Sequence, residues 1–148
     1  MLDFLLLTPL RRYSGAGILL MRTVVGVFLL FGIWDVLTSE ARLHAYAAYL
    51  GRFHFPLPYL MGRLSVYAQA FIGVGFIAGL CVRWAGIFCA AHFAVTLGMI
   101  ERFAGMQNAF PAACLMAIGV FFALHGAGRF GLDTFLEVDA NQRFDRHY

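Results

Sequence analysis

Apolar residues run along this chain in blocks separated by short polar joints. The clearest block lies between Arg63 and Glu101, where Arg83 is the sole charge across residues 64–100. As one helix this block would extend about 55 Å, nearly twice the roughly 30 Å of a bilayer's hydrocarbon core. It must double back, and Arg83 marks the natural turn, which predicts spans at about 64–82 and 84–100. Upstream, residues 16–34 are apolar apart from Arg22 and Thr23 and predict a first span. Downstream, residues 109–124 predict a fourth. The runs do not alternate with the period of a barrel strand, so each backbone is expected to satisfy its hydrogen bonds as a helix. The expected fold is all-α: an integral membrane four-helix bundle, one domain over 1–148, with a tail from about residue 126.

The joint between the first two spans is itself patterned. Leu43, Tyr46, Ala47 and Leu50 fall at i, i+3, i+4 and i+7, one face of a helix, with Arg42, His44 and Arg52 as polar neighbours. Ser39 is placed to cap its start and Gly51 to end it. A short helix lying on the outer membrane interface is predicted, followed by FHFPLPY, in which Pro56 and Pro58 keep the backbone extended.

Composition supports the same picture. Hydrophobic residues make up 61% of the 148 and charged residues 13%, about half the charge fraction of an average soluble domain. Membrane lipid is therefore the first expected partner, and nucleic acid is not one. All the basic side chains are arginines. With four spans both termini share a side, which collects Arg11, Arg12, Arg83, Arg129, Arg143 and Arg146 against Arg42, Arg52, Arg63 and Arg102 opposite. The positive-inside bias then places both termini in the cytoplasm. The opening MLDFLLLTPLRR puts acid before and arginine after a short apolar run, the reverse of a signal peptide, and an uncleaved anchor is expected.

After the fourth block the chain reads HGAGRFGLD, and Gly126, Gly128 and Gly131 spell G-x-G-x-x-G. A dinucleotide fingerprint needs a preceding strand and an acidic residue some twenty positions on. Here a membrane helix precedes and the tail is too short, so helix exit is the better reading, with Gly126 and Gly128 in left-handed conformations. Arg129 and Asp133 are spaced to pair if a surface helix resumes there.

GAGRFGLD resembles the G-x-G-R-[FY]-S-[LI]-D signature that follows the last span of the DoxX family of small bacterial membrane proteins, with Gly131 where serine is usual. The first span is similar to that family's through Arg22, Gly26, Phe28 and Gly32, and GLCVRWAG resembles its hairpin through Gly79, Leu80, Arg83 and Ala85. Two positions depart from the pattern: Asp35 stands where a lysine is common, and Gln69 where a glutamate is common. The resemblance implies a multi-pass protein of the bacterial inner membrane, acting as an accessory subunit, structural or quinone-lining, of a larger redox or electron-transfer complex. The alternative is an autonomous quinone-dependent oxidoreductase of the thiosulfate:quinone type. No catalytic centre of its own is expected.

A charge inside the bilayer costs about 2.5–3.5 kcal/mol on insertion scales and usually faces the interior or a functional path. Arg22 is such a charge, and helical rise places His92 at a similar depth, so the two are expected to be able to meet. Gln69 lies nearer the middle, with Tyr67 above it and Thr96 as a neighbour. Arg22, Gln69 and His92 are thus the candidate pocket for a quinone carbonyl or a partner subunit. On a purely structural reading Arg22 snorkels to the inner headgroups and His92 donates to a backbone carbonyl. A bis-histidine haem is not expected, because His92 and His125 differ in depth by roughly 12 Å. No metal site is expected either, since H-x-x-x-H and C-x-x-C spacings are missing. Cys81, Cys89 and Cys114 read as small apolar residues. Gly75 with Gly79, Ala90, Ala91 and Ala94 together, and Gly119 with Ala123 read as close helix contacts, with the phenylalanines facing outward.

Overall fold

The structure is a computed structural model that describes residues 13–99, 106–128 and 131–133. Its described residues form five helices and no strand: α1 (Ser14–Thr38), α2 (Glu40–Gly51), α3 (Pro58–Ala78), α4 (Val82–Met99) and α5 (Met106–His125). The expected pairing of Arg129 with Asp133, the opening residues 1–12 and the tail from residue 134 lie outside the described residues.

α1 buries Arg22, Val25, Gly26, Leu29 and Ile33, one stripe at helical spacing. Its opposite face is equally apolar and exposed, with Val24, Val27, Phe28, Phe31 and Trp34 outermost. A helix hydrophobic on every side has no aqueous face and belongs in lipid or a deep core. α1, α3 and α4 are each long and apolar enough to cross a membrane, and Ala109–His125 of α5 is a shorter apolar run.

α2 takes the position read from its pattern: Leu43, Ala47 and Leu50 are buried and Tyr46 is half-buried. Ser39 precedes it in extended conformation, but its side chain makes no capping hydrogen bond. Glu40 anchors the helix start instead, accepting from Arg63 Nη2 at 2.8 Å and from the Tyr59 hydroxyl at 3.0 Å. α3 packs beneath α2 at Gly62, where a Cβ would come into ordinary contact with Tyr46, Leu50 and Leu43.

Two boundaries differ from expectation, each because local backbone chemistry outweighs hydropathy. α3 begins at Pro58, six residues before the expected 64, with proline in the first helical turn, where its missing N–H costs nothing. The hairpin turns at Gly79–Cys81 rather than at Arg83. Gly79 ends α3 with φ 70°, and its N–H and that of Leu80 both return to the Gly75 carbonyl. That left-handed conformation is open to glycine at little cost, so it sets the turn. Arg83 falls in the first turn of α4 and donates to the Leu124 carbonyl at 3.2 Å.

Small residues let the helices touch backbone to backbone. A Cβ on Gly86 would lie 2.5 Å from Ala123 N, and one on Gly119 would lie 2.5 Å from Ala90 N, so α4 and α5 interlock through two small-residue pairs. Gly26 and Gly73 do the same for α1 and α3. Phenylalanine does not sit wholly outside: Phe28, Phe31, Phe71, Phe88, Phe110 and Phe121 are exposed, but Phe76, Phe93 and Phe122 are buried. Phe76 and Phe122, with ring centroids 4.9 Å apart, fill the space between α3 and α5. The expectation of outward phenylalanines fails there because aromatic volume is needed where the glycine contacts end.

Candidate functional site

Three helices converge on a line of polar side chains. Ser65 and Gln69 are one turn apart on α3 and so share a face. His92 reaches them from α4 and Tyr46 from the buried side of α2. Gln69 Nε2 lies 3.1 Å from His92 Nε2 and 3.4 Å from Ser65 Oγ, to which it donates. Ser65 Oγ in turn lies 3.2 Å from the Tyr46 hydroxyl. Four polar groups are thus joined end to end, so each escapes most of the cost of sitting unpaired among apolar neighbours. His92 is further fixed by Phe93 edge-on at 5.0 Å, while Thr96 bonds back to the His92 carbonyl at 3.0 Å.

Three of the four groups, Tyr46, Ser65 and His92, line a cavity of about 340 Å³, within the roughly 300–1,000 Å³ typical of small-molecule sites. Leu50, Phe55, Met61, Leu64, Phe88 and Val95 supply its apolar lining, and Tyr46, Ser65, His92 and Thr96 its polar groups. Leu64, Phe88 and Val95 are about half exposed, so the cavity opens sideways on the apolar flank of α3 and α4. Tyr67 stands apart on the exposed side of α3, lining a smaller cavity with Glu40 and Arg63.

Arg22 is elsewhere. It is 1% exposed, and its Nη1 donates to the Ala127 carbonyl at 2.7 Å. A Cβ on Gly79 would lie 2.8 Å from its Nη2, which puts the guanidinium at the α3–α4 turn. Gly79 is ten residues along from Gln69, about 15 Å of helix. Gln69 and His92 are therefore brought together and Arg22 is not. Neither structural expectation holds: Arg22 turns into the protein rather than out to headgroups, and the His92 ring bonds Gln69 rather than a backbone carbonyl.

The glycine stretch explains how Arg22 is housed. Gly126 and Gly128 have φ of 80° and 70°, the left-handed helix exit read from the sequence. They fold the chain back beneath α1. A side chain on Gly131 would collide with Ala127 and press on Arg22, which accounts for glycine at that position. Asp133 then accepts from the N–H groups of Cys81 and Val82 at 2.7 and 2.8 Å, and its own N–H donates to the Gly79 carbonyl at 3.0 Å. One carboxylate thereby caps α4, steadies Cys81 at φ 51°, and faces the Arg22 charge.

The DoxX family model matches residues 17–102, 86 of the 148. The chain belongs to the DoxX family. With its long apolar helices, this DoxX protein is a multi-pass membrane protein. No curated protein and no solved structure matches it. The matched region holds α1 to α4 and every residue of the polar line, whereas the glycine exit and Asp133 lie beyond it. Of the two departures from the family pattern, Asp35 is exposed on α1, while Gln69 sits at the centre of the polar line.

Among the described residues no cluster of three metal-binding side chains occurs in this DoxX protein. His125 stacks on Phe121 at the end of α5, near the level of Arg83 and nine residues along α4 from His92. Tyr46 and Ser65 were not singled out as site residues by the sequence. Ser65 was legible in principle, one turn from Gln69; Tyr46 was read only as part of an apolar face.

Proposed function

We propose that this protein is an accessory subunit of a membrane redox complex and lines a quinone site with Gln69 and His92. The observation that carries the reading is the 3.1 Å contact by which Gln69 holds His92, a residue of the wall of a largely apolar cavity. Polar groups deep in a membrane bundle are costly to keep and commonly mark a ligand or substrate path. The Gln69 amide can use both its hydrogens, on Ser65 and on His92 Nε2. The His92 proton then rests on Nδ1, which has no hydrogen-bond partner among the described residues and is not sealed from its surroundings. A carbonyl dissolved in the membrane is a fitting acceptor.

In this reading α5 makes the fourth crossing, both termini face the cytoplasm of a bacterial inner membrane, and Arg22 closes the inner end of the bundle. The partner subunits carry the redox groups, and this chain supplies part of the quinone's binding wall. Extraction in mild detergent followed by mass spectrometry of proteins and lipids tests it. The protein should arrive with larger cofactor-bearing subunits and with quinone, and His92→Phe should lose the quinone while keeping the subunits. A lone, quinone-free protein under those conditions rules the reading out.

A further inference from the structure

The cavity wall has two polar stations rather than one. His92 forms the first. The second is the Tyr46–Ser65 hydroxyl pair, at the level of Ser65, four residues and about 6 Å along α3 from Gln69. Thr96 also lines the wall, but its hydrogen is given to the His92 carbonyl, and the remaining lining is apolar.

The hydrogens can be counted. Two hydroxyls sharing one bond use one of their two hydrogens. With the Gln69 amide nitrogen donating to Ser65 and to His92, Ser65 is free to donate to Tyr46, which leaves the Tyr46 hydrogen for the cavity. Both stations then present donors: Tyr46 O–H at one end, His92 Nδ1–H at the other. Half a turn of the Gln69 amide reverses every link. Its oxygen now accepts from Ser65 and from His92 Nε2–H, Tyr46 donates to Ser65, and both stations present lone pairs. One network thus offers two donors or two acceptors, with only the oxygen and nitrogen of the Gln69 amide exchanged.

Resting on the quinone reading, we propose that the site recognises a para-dioxygenated ring by both of its oxygens, His92 taking one and Tyr46 the other. The donor arrangement matches the two carbonyls of a quinone, and the acceptor arrangement matches the two hydroxyls of the quinol. Tyr46, on the helix outside the spans, is the residue that tells such a ring from a singly oxygenated one. Gln69 is the positioning residue whose amide sets the direction of the line.

The test uses the full-length protein in lipid nanodiscs and measures affinity for decyl-benzoquinone, its quinol and para-decylphenol, which has one oxygen. The protein should bind quinone and quinol comparably, and both about tenfold more tightly than the phenol, as one extra hydrogen bond of about 1.4 kcal/mol provides. Tyr46→Phe should remove that preference by weakening quinone binding and leaving the phenol unchanged. Ser65→Ala, which keeps the tyrosine but not its hydroxyl partner, should reduce the preference in part. Equal binding of quinone and phenol, or Tyr46→Phe weakening both alike, overturns the proposal while leaving a quinone site standing. A strong preference for one redox form contradicts the reversible line. Binding of none of the three compounds sinks the quinone reading as well.

Discussion

Arg22 on the first helix donates to the carbonyl of Ala127, 105 residues later in the chain, at 2.7 Å. Its guanidinium is enclosed by the α3–α4 turn and by the chain leaving α5, so one side chain fastens both ends of the bundle's sequence together. Hydrogen bonds from charged groups contribute about 1.5–3 kcal/mol each, and emptying a fully buried site adds a cavity cost. Arg22→Ala is expected to lower stability by about 3 kcal/mol or more, read as the thermal midpoint in detergent. Arg22→Lys should recover only part, because one ammonium cannot span the contacts of a planar guanidinium.

Asp133 holds two N–H groups at the start of α4 with its two carboxylate oxygens. Losing such a cap costs about 0.5–2 kcal/mol. Asp133→Ala should lower the thermal midpoint more than Asp133→Asn, which keeps one acceptor oxygen. Midpoints for both variants equal to that of the unaltered protein would show that the cap contributes nothing.

At the α4–α5 seam, Gly86 and Gly119 each lie where a Cβ would meet opposing backbone, whereas Gly98 has open space around it. Backbone cannot yield as a flexible side chain can, and overpacking costs about 1–3 kcal/mol. Gly86→Val and Gly119→Val should each destabilise by that order or abolish folded yield. Gly98→Ala should be neutral or slightly stabilising. Size-exclusion profiles and thermal melts of the three variants check the contrast.

The expected topology puts the Gly79–Cys81 turn on the cytoplasmic side with the termini, and α2 outside. Cys81 is exposed at that turn and Cys89 is buried. In intact cells a membrane-impermeant maleimide should leave Cys81 unlabelled until the membrane is opened. A cysteine introduced at exposed Arg52 should react at once. Labelling of Cys81 from outside would invert the orientation.

Much of this fold was legible because length and composition are unambiguous over long blocks: α1 covers the apolar run at 16–34 and extends to Thr38, and the buried face of α2 is where periodicity places it. The hairpin was not, and its misplacement carried into the site. A turn centred on Arg83 sets Gln69 opposite residue 97, beside Thr96; centred on Leu80, it sets Gln69 opposite residue 91, beside His92. Charge marks the polar edge of a span, but left-handed backbone decides the turn, and Gly79 supplies it. Arg22 announced by its cost that it needed partners. Their identity depended on Ala127 and Asp133, more than a hundred residues away, which no local pattern could supply.

The proposal at the centre of this account is that a quinone sits against His92, which Gln69 holds in place. Photolabelling of the full-length protein in native membranes with an azido-quinone, followed by peptide mapping, addresses it directly. Saturable labelling confined to the cavity walls, within residues 46–69 and 88–96, and lost in His92→Phe, is the predicted result. Labelling that unlabelled quinone does not displace, or that falls instead around Arg22 and the Gly79 turn, would contradict it.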